Sequence, residues 1–233
     1  MIFIKYKEVK KGVFLERPNR FIAKVLVDGA EETVHVKNTG RCKELLTENA
    51  NVYLSVSDNP LRKTRYDLIG VDKVTPAGIL KVNMDSQIPN DVVAEWLKEG
   101  NLFSENAIIK REVFYNKSRF DFYIEDAERR IFLEVKGVTL ENDGVASFPD
   151  APTERGIKHI NELVECISDG YEAFIVFVIQ MKGIDYFTPN YITHPEFGEA
   201  LKLAYGKGVK ILAFDCIVTD DSIALDKEIK VIL

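Results

Sequence analysis

Over roughly the first 75 residues, apolar and polar positions alternate in short runs separated by turn-forming residues. Side chains point to opposite faces along a strand, so this alternation predicts a series of half-buried β-strands. Asp28-Gly29, between the first two runs, favours a β-hairpin. The helix candidate in this region is the segment 41–50. The strand runs are residues 20–27, 32–38, 51–57 and 65–74.

This order of strands, one short helix and further strands is typical of a small closed or half-closed β-barrel of the OB type. Thr75-Pro76-Ala77-Gly78 follows the last run with a proline and a glycine, which marks a boundary. We therefore predict an OB-like domain over residues 1–78 and a second domain over residues 79–233.

The second region mixes helical and strand patterns. Its first helix is predicted over residues 89–101, with Asn90 or Asp91 as N-cap and Gly100 as stop. Three meandering strands, a crossover helix and a buried strand come next, which together indicate an α/β sheet of mixed direction. Apart from the meander, the predicted elements are a helix from Pro152 or Thr153 to about Ser168, a buried strand at 172–179, a helix at 195–205, a strand at 209–218 and a C-terminal strand.

Composition places the chain among ordinary globular proteins. Of its 233 residues, 46% are hydrophobic and 29% are charged, which excludes disordered and collagen-like classes. The formal net charge of −6 argues against a uniformly basic coat for nucleic acid. However, residues 1–80 hold 14 Lys and Arg against 10 Asp and Glu, whereas the remainder carries a net charge of −10. This asymmetry predicts two regions with different tasks.

Cysteine usage and the N-terminus bear on the cellular compartment. Cys42, Cys166 and Cys216 are far apart and form neither a C-x-x-C pair nor a zinc spacing, which favours a reduced, intracellular protein. The first residues lack the long apolar core of a secretory signal, and no stretch approaches the roughly 20 apolar residues of a membrane helix. We predict a cytoplasmic protein without membrane contact, and leave a homo-oligomer open.

The segment 118–136 carries the most informative chemistry. We predict a tight turn at Ala127-Glu128 that joins two antiparallel strands. One face would then be apolar, and the other would place charged residues opposite one another. The expected apolar pairs are Phe120 with Val135, Phe122 with Leu133 and Ile124 with Ile131. The expected charged pairs are Arg119 with Lys136 and Asp121 with Glu134.

Like charges facing each other across a ladder are destabilising by up to about 1 kcal/mol, so folding does not require the pair Asp121 and Glu134. Two carboxylates about 5 Å apart suit a hard divalent cation such as Mg²⁺ or Mn²⁺. Lys136 projects from the same face and could stabilise a nucleophile or a developing oxyanion. We therefore predict a phosphodiester hydrolysis site. The alternative is an exposed hairpin in which Glu134 is bridged to Arg119 or Lys136, because short motifs recur by chance.

The surroundings of this motif resemble the PD-(D/E)xK, or restriction-endonuclease-like, fold, in which the motif lies on a meander before a crossover helix. Glu112 on the preceding strand could supply a further carboxylate, although an ordinary strand-edge charge explains it equally well. Thr153 can cap the crossover helix, and Arg155 and His159 lie four residues apart on one face of it. This pair could hold a scissile phosphate or position the helix. A capped helix whose Arg155 pairs with Asp150 or a site carboxylate explains the pattern about equally well.

Six blocks are spread over almost the whole chain, namely RPNRF (17–21), NTGR (38–41), SDNPLRK (57–63), SRFDF (118–122), LEVKGVTL (133–140) and DGVASFPDAPTERGIKH (143–159). In their order and spacing they resemble the sugar fermentation stimulation protein A (SfsA) family. The resemblance implies an N-terminal OB-like domain, a C-terminal nuclease-like domain, DNA binding and a regulatory role in maltose and other sugar metabolism. It implies nuclease activity by fold alone, and it places Asp121, Glu134 and Lys136 on the nuclease-like signature.

Basic residues fall in the turns of the predicted barrel, with Phe21 and Tyr66 nearby. OB barrels bind nucleic acid by combining basic grooves with aromatic stacking platforms. Each residue alone is explained slightly better as a surface arginine or a core aromatic, but as a set they favour a polyanion surface, most simply for DNA. Two functions stay open, a metal-dependent nuclease and a non-catalytic DNA-binding regulator. The predicted nucleic-acid residues are Arg17, Arg20, Arg41, Arg62 and Lys63.

Overall fold

The computed structural model of the protein describes residues 1–38, 40–100 and 102–233. Thr39, in the NTGR block, and Asn101, at the predicted end of the first helix, lie outside the described residues. The strands are β1 (Ile4–Lys5), β2 (Val9–Asn19), β3 (Ile22–Val27), β4 (Ala30–Val36), β5 (Asn51–Val56), β6 (Tyr66–Thr75), β7 (Gly78–Asn83), β8 (Ile108–Tyr115), β9 (Ser118–Asp126), β10 (Arg129–Val138), β11 (Leu140–Asn142), β12 (Val145–Phe148), β13 (Glu172–Ile179), β14 (Tyr186–Pro189), β15 (Lys210–Val218), β16 (Ser222–Glu228) and β17 (Lys230–Val231). The helices are α1 (Ile88–Lys98), α2 (Glu154–Ser168) and α3 (Pro195–Gly206).

Strands β2 to β7 form the N-terminal barrel. They are ordered β4-β3-β2-β5-β6-β7, and an additional parallel pairing between β4 and β6 closes the sheet into a ring. Alternate side chains of these strands, such as Val25, Val34 and Leu68, are fully buried inside. Asp28 and Gly29 form the predicted two-residue hairpin turn with positive φ angles of 49° and 84°. The predicted OB-like barrel is thus confirmed.

Two local features of the barrel differ from expectation. The short helix predicted at residues 41–50 is wrong, since this segment forms turns in which Cys42 and Asn49 have positive φ angles of 45° and 63°. A right-handed helix does not accommodate such angles. The other difference concerns residues 75–78, which form the turn between β6 and β7. The barrel sheet therefore continues to Asn83, past the predicted boundary at residue 78.

The C-terminal region is built on a seven-stranded sheet ordered β1-β16-β15-β13-β10-β9-β8. Its central pairs, β10 with β13 and β13 with β15, are parallel, and the outer pairs are antiparallel. Helix α1 packs on one face, and α2 and α3 contribute to the core on the other. Coverage on both faces explains why β13 is an uninterrupted apolar run. The predicted mixed α/β sheet is confirmed, and a small second sheet, β11-β12-β14-β17, adjoins it.

The segment 83–87 leads from the barrel to α1 and is tied to the end of β13. The Gln180 side-chain amide donates to the Asn83 side-chain oxygen at 3.0 Å and to the Asp85 carbonyl at 2.9 Å. Asp85 is buried and pairs with Lys37 of the barrel at 2.6 Å. The barrel and the C-terminal sheet are therefore held together by buried polar contacts.

Helices α1 and α2 begin in different ways. Helix α2 begins as predicted, because the Thr153 hydroxyl accepts a hydrogen bond from the Gly156 N–H at 3.1 Å. The predicted N-cap of α1 at Asn90 or Asp91 is wrong, since the helix begins at Ile88 with Gln87 as its N-cap. Asn90 is thereby free to make a different contact. Among the described residues, no helix has the length and apolar character needed to cross a membrane.

Candidate functional site

Strands β9 and β10 form the predicted hairpin with the predicted register. The ladder extends from the tight turn as far as Leu133 opposite Phe122. Beyond that point the expected pairing of Phe120 with Val135 is wrong. Phe120 packs against Phe132, with ring centroids 5.4 Å apart, whereas Val135 belongs to the core on the other face. The two strands therefore separate where the charged residues of the motif begin.

Asp121 lies at this separation and is held by two donors. The Val135 N–H donates to one carboxylate oxygen at 2.7 Å, and the Asn90 side-chain amide donates to the other at 2.7 Å. Burial, together with the negative charge of Glu134, raises the pKa of Asp121 to about 6. Asp121 is consequently a carboxyl group of fixed orientation that titrates close to neutral pH.

Glu134 is the buried partner, with only 3% of its surface exposed. Its Oε1 lies 2.5 Å from His159 Nδ1 and also contacts the Lys136 ammonium. Burial by itself would raise the pKa of Glu134, but the charge of Lys136 and the hydrogen bond from His159 outweigh it and hold this pKa below its usual range. Among the described residues, the buried Oε2 has no hydrogen-bond partner. An ionised oxygen in that position is costly unless a cation or another donor reaches it.

Arg155 and His159 are brought to the cluster, as their spacing on α2 predicts. Arg155 Nε lies 3.5 Å from His159 Nε2, and the other ring nitrogen, Nδ1, faces Glu134 Oε1 at 2.5 Å. The imidazole therefore orients Glu134. Arg155 itself is exposed at the edge of the site.

Glu112 occupies the β8 position opposite Asp121, since its neighbours Arg111 and Val113 pair with Phe122 and Phe120. It interrupts β8 with a positive φ angle of 55°, is exposed, and lies 3.5 Å from Arg119. Arg119 is thus directed away from Glu134, whose cationic neighbour is Lys136. Among the described residues, no group of three or more His, Cys, Asp and Glu side chains is arranged to hold a metal ion. A cation here would depend on Asp121 and Glu134 as its carboxylate ligands.

The predicted basic residues of the barrel fall into two kinds. Arg17 is turned inward, where its guanidinium donates to the carbonyl oxygens of Arg41 at 2.6 Å, Arg20 at 2.7 Å and Asn38 at 2.8 Å. Arg62 binds both carboxylate oxygens of Asp67, at 2.7 and 2.8 Å. Both side chains therefore shape the barrel surface through contacts within the protein.

The other kind is exposed to solvent. The predicted members Arg20, Arg41 and Lys63 are all exposed. Of the two aromatic residues considered with them, Phe21 is 48% exposed and Tyr66 only 4%. Phe21 can therefore present its ring to a ligand, whereas Tyr66 is a core residue.

Comparison with known sequences shows to which protein family this architecture belongs. Residues 87–222 match the family model described as the sugar fermentation stimulation protein RE domain, and residues 15–78 match the SfsA N-terminal OB domain. The chain belongs to the SfsA family. Its two matched regions correspond to the mixed sheet with its helices and to the barrel.

Relatives of full length agree with this assignment. A protein from Ruminiclostridium cellulolyticum named sugar fermentation stimulation protein homolog is 58% identical over 228 residues, covering 98% of this chain and 99% of the relative. A homolog of the same name from Clostridium beijerinckii is 56% identical over 230 residues, covering 99% and 100%. The structure of Pyrococcus furiosus SfsA in complex with Ca²⁺ superposes with a TM-score of 0.85 at 29% identity, covering 99% of this chain and 98% of that one.

Two of the blocks through which the chain resembles the SfsA family meet beside the site. Gly40 approaches Asp150 so closely that a Cβ atom on Gly40 would lie 2.3 Å from a carboxylate oxygen of Asp150. A cavity of about 160 Å³ lies between these blocks and is also lined by Gly137, which follows Lys136. A side chain at position 40 would therefore displace the Asp150 and Asn38 side chains.

Asn90 is the site residue that sequence reasoning missed, because the prediction assigned it to a helix cap. Its neighbour Asp91 instead pairs with Arg111 near the surface at 2.8 Å. The helical periodicity of the sequence is the signal that could have identified Asn90. Asn90 is three and seven residues before the buried Val93 and Leu97, so it is a polar residue on the apolar stripe of α1.

Proposed function

We propose that the protein hydrolyses phosphodiester bonds in nucleic acid, most simply DNA, with Mg²⁺ or Mn²⁺ held by Asp121 and Glu134. The observation that carries this proposal is the buried Glu134 Oε2, which has no partner among the described residues and lies beside a second carboxyl group. Hard divalent cations prefer such oxygen ligands. The related Pyrococcus furiosus protein in complex with Ca²⁺, another hard cation, supports this choice of ligand.

The residues around the two carboxylates would contribute positive charge and would orient the carboxylates. A bound cation would neutralise charge on the phosphate and lower the pKa of an attacking water. The Lys136 ammonium adds positive charge at the same carboxylate and would stabilise the charge that develops on phosphate oxygens. Asn90 and the Val135 N–H orient Asp121, and His159 orients Glu134.

The barrel supports the nucleic-acid part of the proposal. Its OB architecture belongs to a class that binds nucleic acids and oligosaccharides. The exposed Arg20, Arg41 and Lys63 would contact backbone phosphates, and the exposed Phe21 offers a ring for stacking. The positive charge of residues 1–80 favours a polyanion over a neutral sugar.

Cleavage assays with matched variants test the proposal. The full chain is incubated with end-labelled single-stranded and duplex DNA in Mg²⁺ or Mn²⁺, with EDTA as the metal-free control. We expect Asp121→Asn and Lys136→Ala to lower the cleavage rate by about 10²-fold or more, as loss of transition-state charge stabilisation typically does. Glu128→Gln, which changes an exposed carboxylate in the turn of the same hairpin, should leave the rate unchanged. Cleavage that survives both site variants, or no cleavage of any substrate, would contradict the proposal.

A second candidate is a non-catalytic DNA-binding regulator of sugar metabolism on a nuclease-derived scaffold. It is favoured by Glu134 Oε1, which already contacts both His159 and Lys136 and so resembles a carboxylate neutralised within the protein. This candidate predicts equal DNA affinity with Mn²⁺ and with EDTA, and no cleavage. Filter-binding titrations in the two buffers separate the candidates.

A further inference from the structure

A cavity of about 430 Å³ lies where the barrel meets the segment that leads to α1. It is formed by residues distant in sequence, and we call it the Phe21 cavity. Its size suits a group as large as a nucleobase. The lining residues are Phe21, His35, Val36, Lys37, Arg62, Asp67, Ser86 and Gln87.

The aromatic wall of this cavity is available for stacking. The ring of Phe21 is 48% exposed, and the Arg20 guanidinium lies over it at 5.0 Å from the ring centroid. A base in the cavity would therefore meet the exposed ring of Phe21, and Arg20, which is outside the cavity lining, adds a positive charge next to that ring.

The charges in the Phe21 cavity are compatible with a nucleotide. Among the described residues, Asp67 is the one acidic residue of its lining, and it is neutralised by two hydrogen bonds from Arg62 and approached by His35 at 2.8 Å. Lys37 contributes a further positive charge, which is shared with Asp85. The lining therefore offers no unpaired carboxylate to repel a phosphate.

The Phe21 cavity is also close to the carboxylate site. Ser86 lines both this cavity and the smaller cavity beside Gly137, and its N–H and hydroxyl both donate to the Lys37 carbonyl. Gln87 lines the cavity and caps α1, three residues before Asn90. Three residues span about 4.5 Å of helix axis. The lining of the Phe21 cavity is thus connected, through the first turn of α1, to the residue that holds the Asp121 carboxylate.

We propose that the Phe21 cavity binds an unpaired base, so that the substrate is DNA with a single-stranded segment at the site. In a duplex each base is stacked within the helix and paired at its edge, so a protein ring can reach its face only if the base leaves the stack. This inference rests on the proposed function and specifies its substrate class.

Binding measurements without a cation test this inference separately from cleavage. The full chain is titrated in EDTA with a single-stranded oligonucleotide carrying 2-aminopurine and with the matched duplex. We expect Phe21→Ala to weaken single-strand binding about 5-fold to 150-fold, the range of one lost base-stacking contact, and Phe21→Tyr to restore it. The matched control is Phe114→Ala, because Phe114 is 71% exposed on β8 and is absent from the cavity lining. It should bind as the wild type does.

The outcomes are distinct. Single-strand affinity that is unchanged in Phe21→Ala, or that falls equally for duplex, would overturn the inference. Stacking through Phe21 without any cleavage would support this inference and contradict the nuclease proposal. Cleavage of duplex DNA that is as fast in Phe21→Ala as in the wild type, and faster than cleavage of a single strand, would overturn the inference alone.

Discussion

At the scale of single residues, Asp121 and Glu134 share one site but have opposite protonation behaviour. Lys136 and His159 keep Glu134 ionised, whereas burial and the charge of Glu134 oppose ionisation of Asp121. Such pairs are a recurrent feature of catalytic centres, where a bound cation offsets an arrangement that disfavours folding. The two carboxyl groups therefore repel each other in the folded protein, and the effect of this repulsion on stability can be measured in the absence of metal.

The Asp121→Asn variant measures this repulsion. The pKa of Asp121 is raised to about 6 in the folded protein, against about 3.9 when unfolded, so its contribution to stability is present below pH 4 and is lost as the pH rises through 6. In EDTA at pH 8 we expect Asp121→Asn to raise the free energy of unfolding by about 1 to 2 kcal/mol. The gain should vanish below pH 4, as followed by urea denaturation at a series of pH values. Glu128→Gln should change stability by less than about 0.5 kcal/mol throughout.

The two kinds of arginine on the barrel provide a second test at this scale. Arg17 donates to three carbonyl oxygens, so Arg17→Ala should lower the free energy of unfolding by about 1 to 3 kcal/mol, measured by denaturant titration. Arg20→Ala should leave stability unchanged and should reduce the slope of log affinity for DNA against log salt by about 1. Equal effects of the two substitutions on stability would contradict this division.

At the scale of elements, helix α1 supplies the residue that orients Asp121. Asn90→Ala keeps a good helix former at this position but removes the donor to Asp121. We expect the rate of cleavage at saturating DNA to fall about 10-fold to 100-fold, the usual effect of losing a residue that orients a ligand, with little change in DNA affinity. Asp91→Ala, one position along and paired with Arg111, is the control and should retain activity. Loss of DNA affinity in Asn90→Ala with an unchanged rate would contradict the positioning role.

Three neighbouring strands of the large sheet are joined at their starts by Glu172. Its carboxylate binds Arg129 at 2.6 Å and Lys210 at 2.9 Å, and these contacts lower its pKa to about 2. A lowered pKa stabilises the fold above about pH 4.5, and this contribution is lost as the pH falls toward 2. At pH 7 we expect Glu172→Gln to cost about 1 kcal/mol, since one third of the side chain is exposed and screened. Thermal denaturation of both proteins from pH 7 to pH 2 should show the difference shrinking.

At the scale of the whole molecule, the features predictable from sequence are those set by neighbours along the chain. The hairpin register as far as Leu133 opposite Phe122 follows from a two-residue turn and strand alternation, and the buried strand β13 follows from its apolar run. The separation of β9 and β10 beyond that pair has no such local signal. Asn90 reaches Asp121 across 31 residues and Arg17 reaches the Arg41 carbonyl across 24, so their partners depend on tertiary packing. Residues 41–50 have helical spacing, but the barrel imposes turns there.

The same packing joins the barrel to the C-terminal sheet and places the Phe21 cavity beside the carboxylates. Lys37 of the barrel pairs with Asp85, and Gln180 at the end of β13 holds the same segment. Neither residue has a local signal for these contacts, since each depends on two regions of the chain meeting. The surface proposed to bind DNA and the site proposed to cleave it thus share one connecting segment.

The central claim is that Asp121 and Glu134 together hold a divalent cation. The most direct test is anomalous diffraction from crystals of the wild-type protein soaked in Mn²⁺, with Asp121→Asn crystals treated in the same way. We expect an anomalous peak between the two carboxylates of the wild-type protein, in contact with Glu134 Oε2, and we expect it to be lost in Asp121→Asn. Wild-type crystals with no peak at this position, or a peak that persists undiminished in Asp121→Asn, would contradict it.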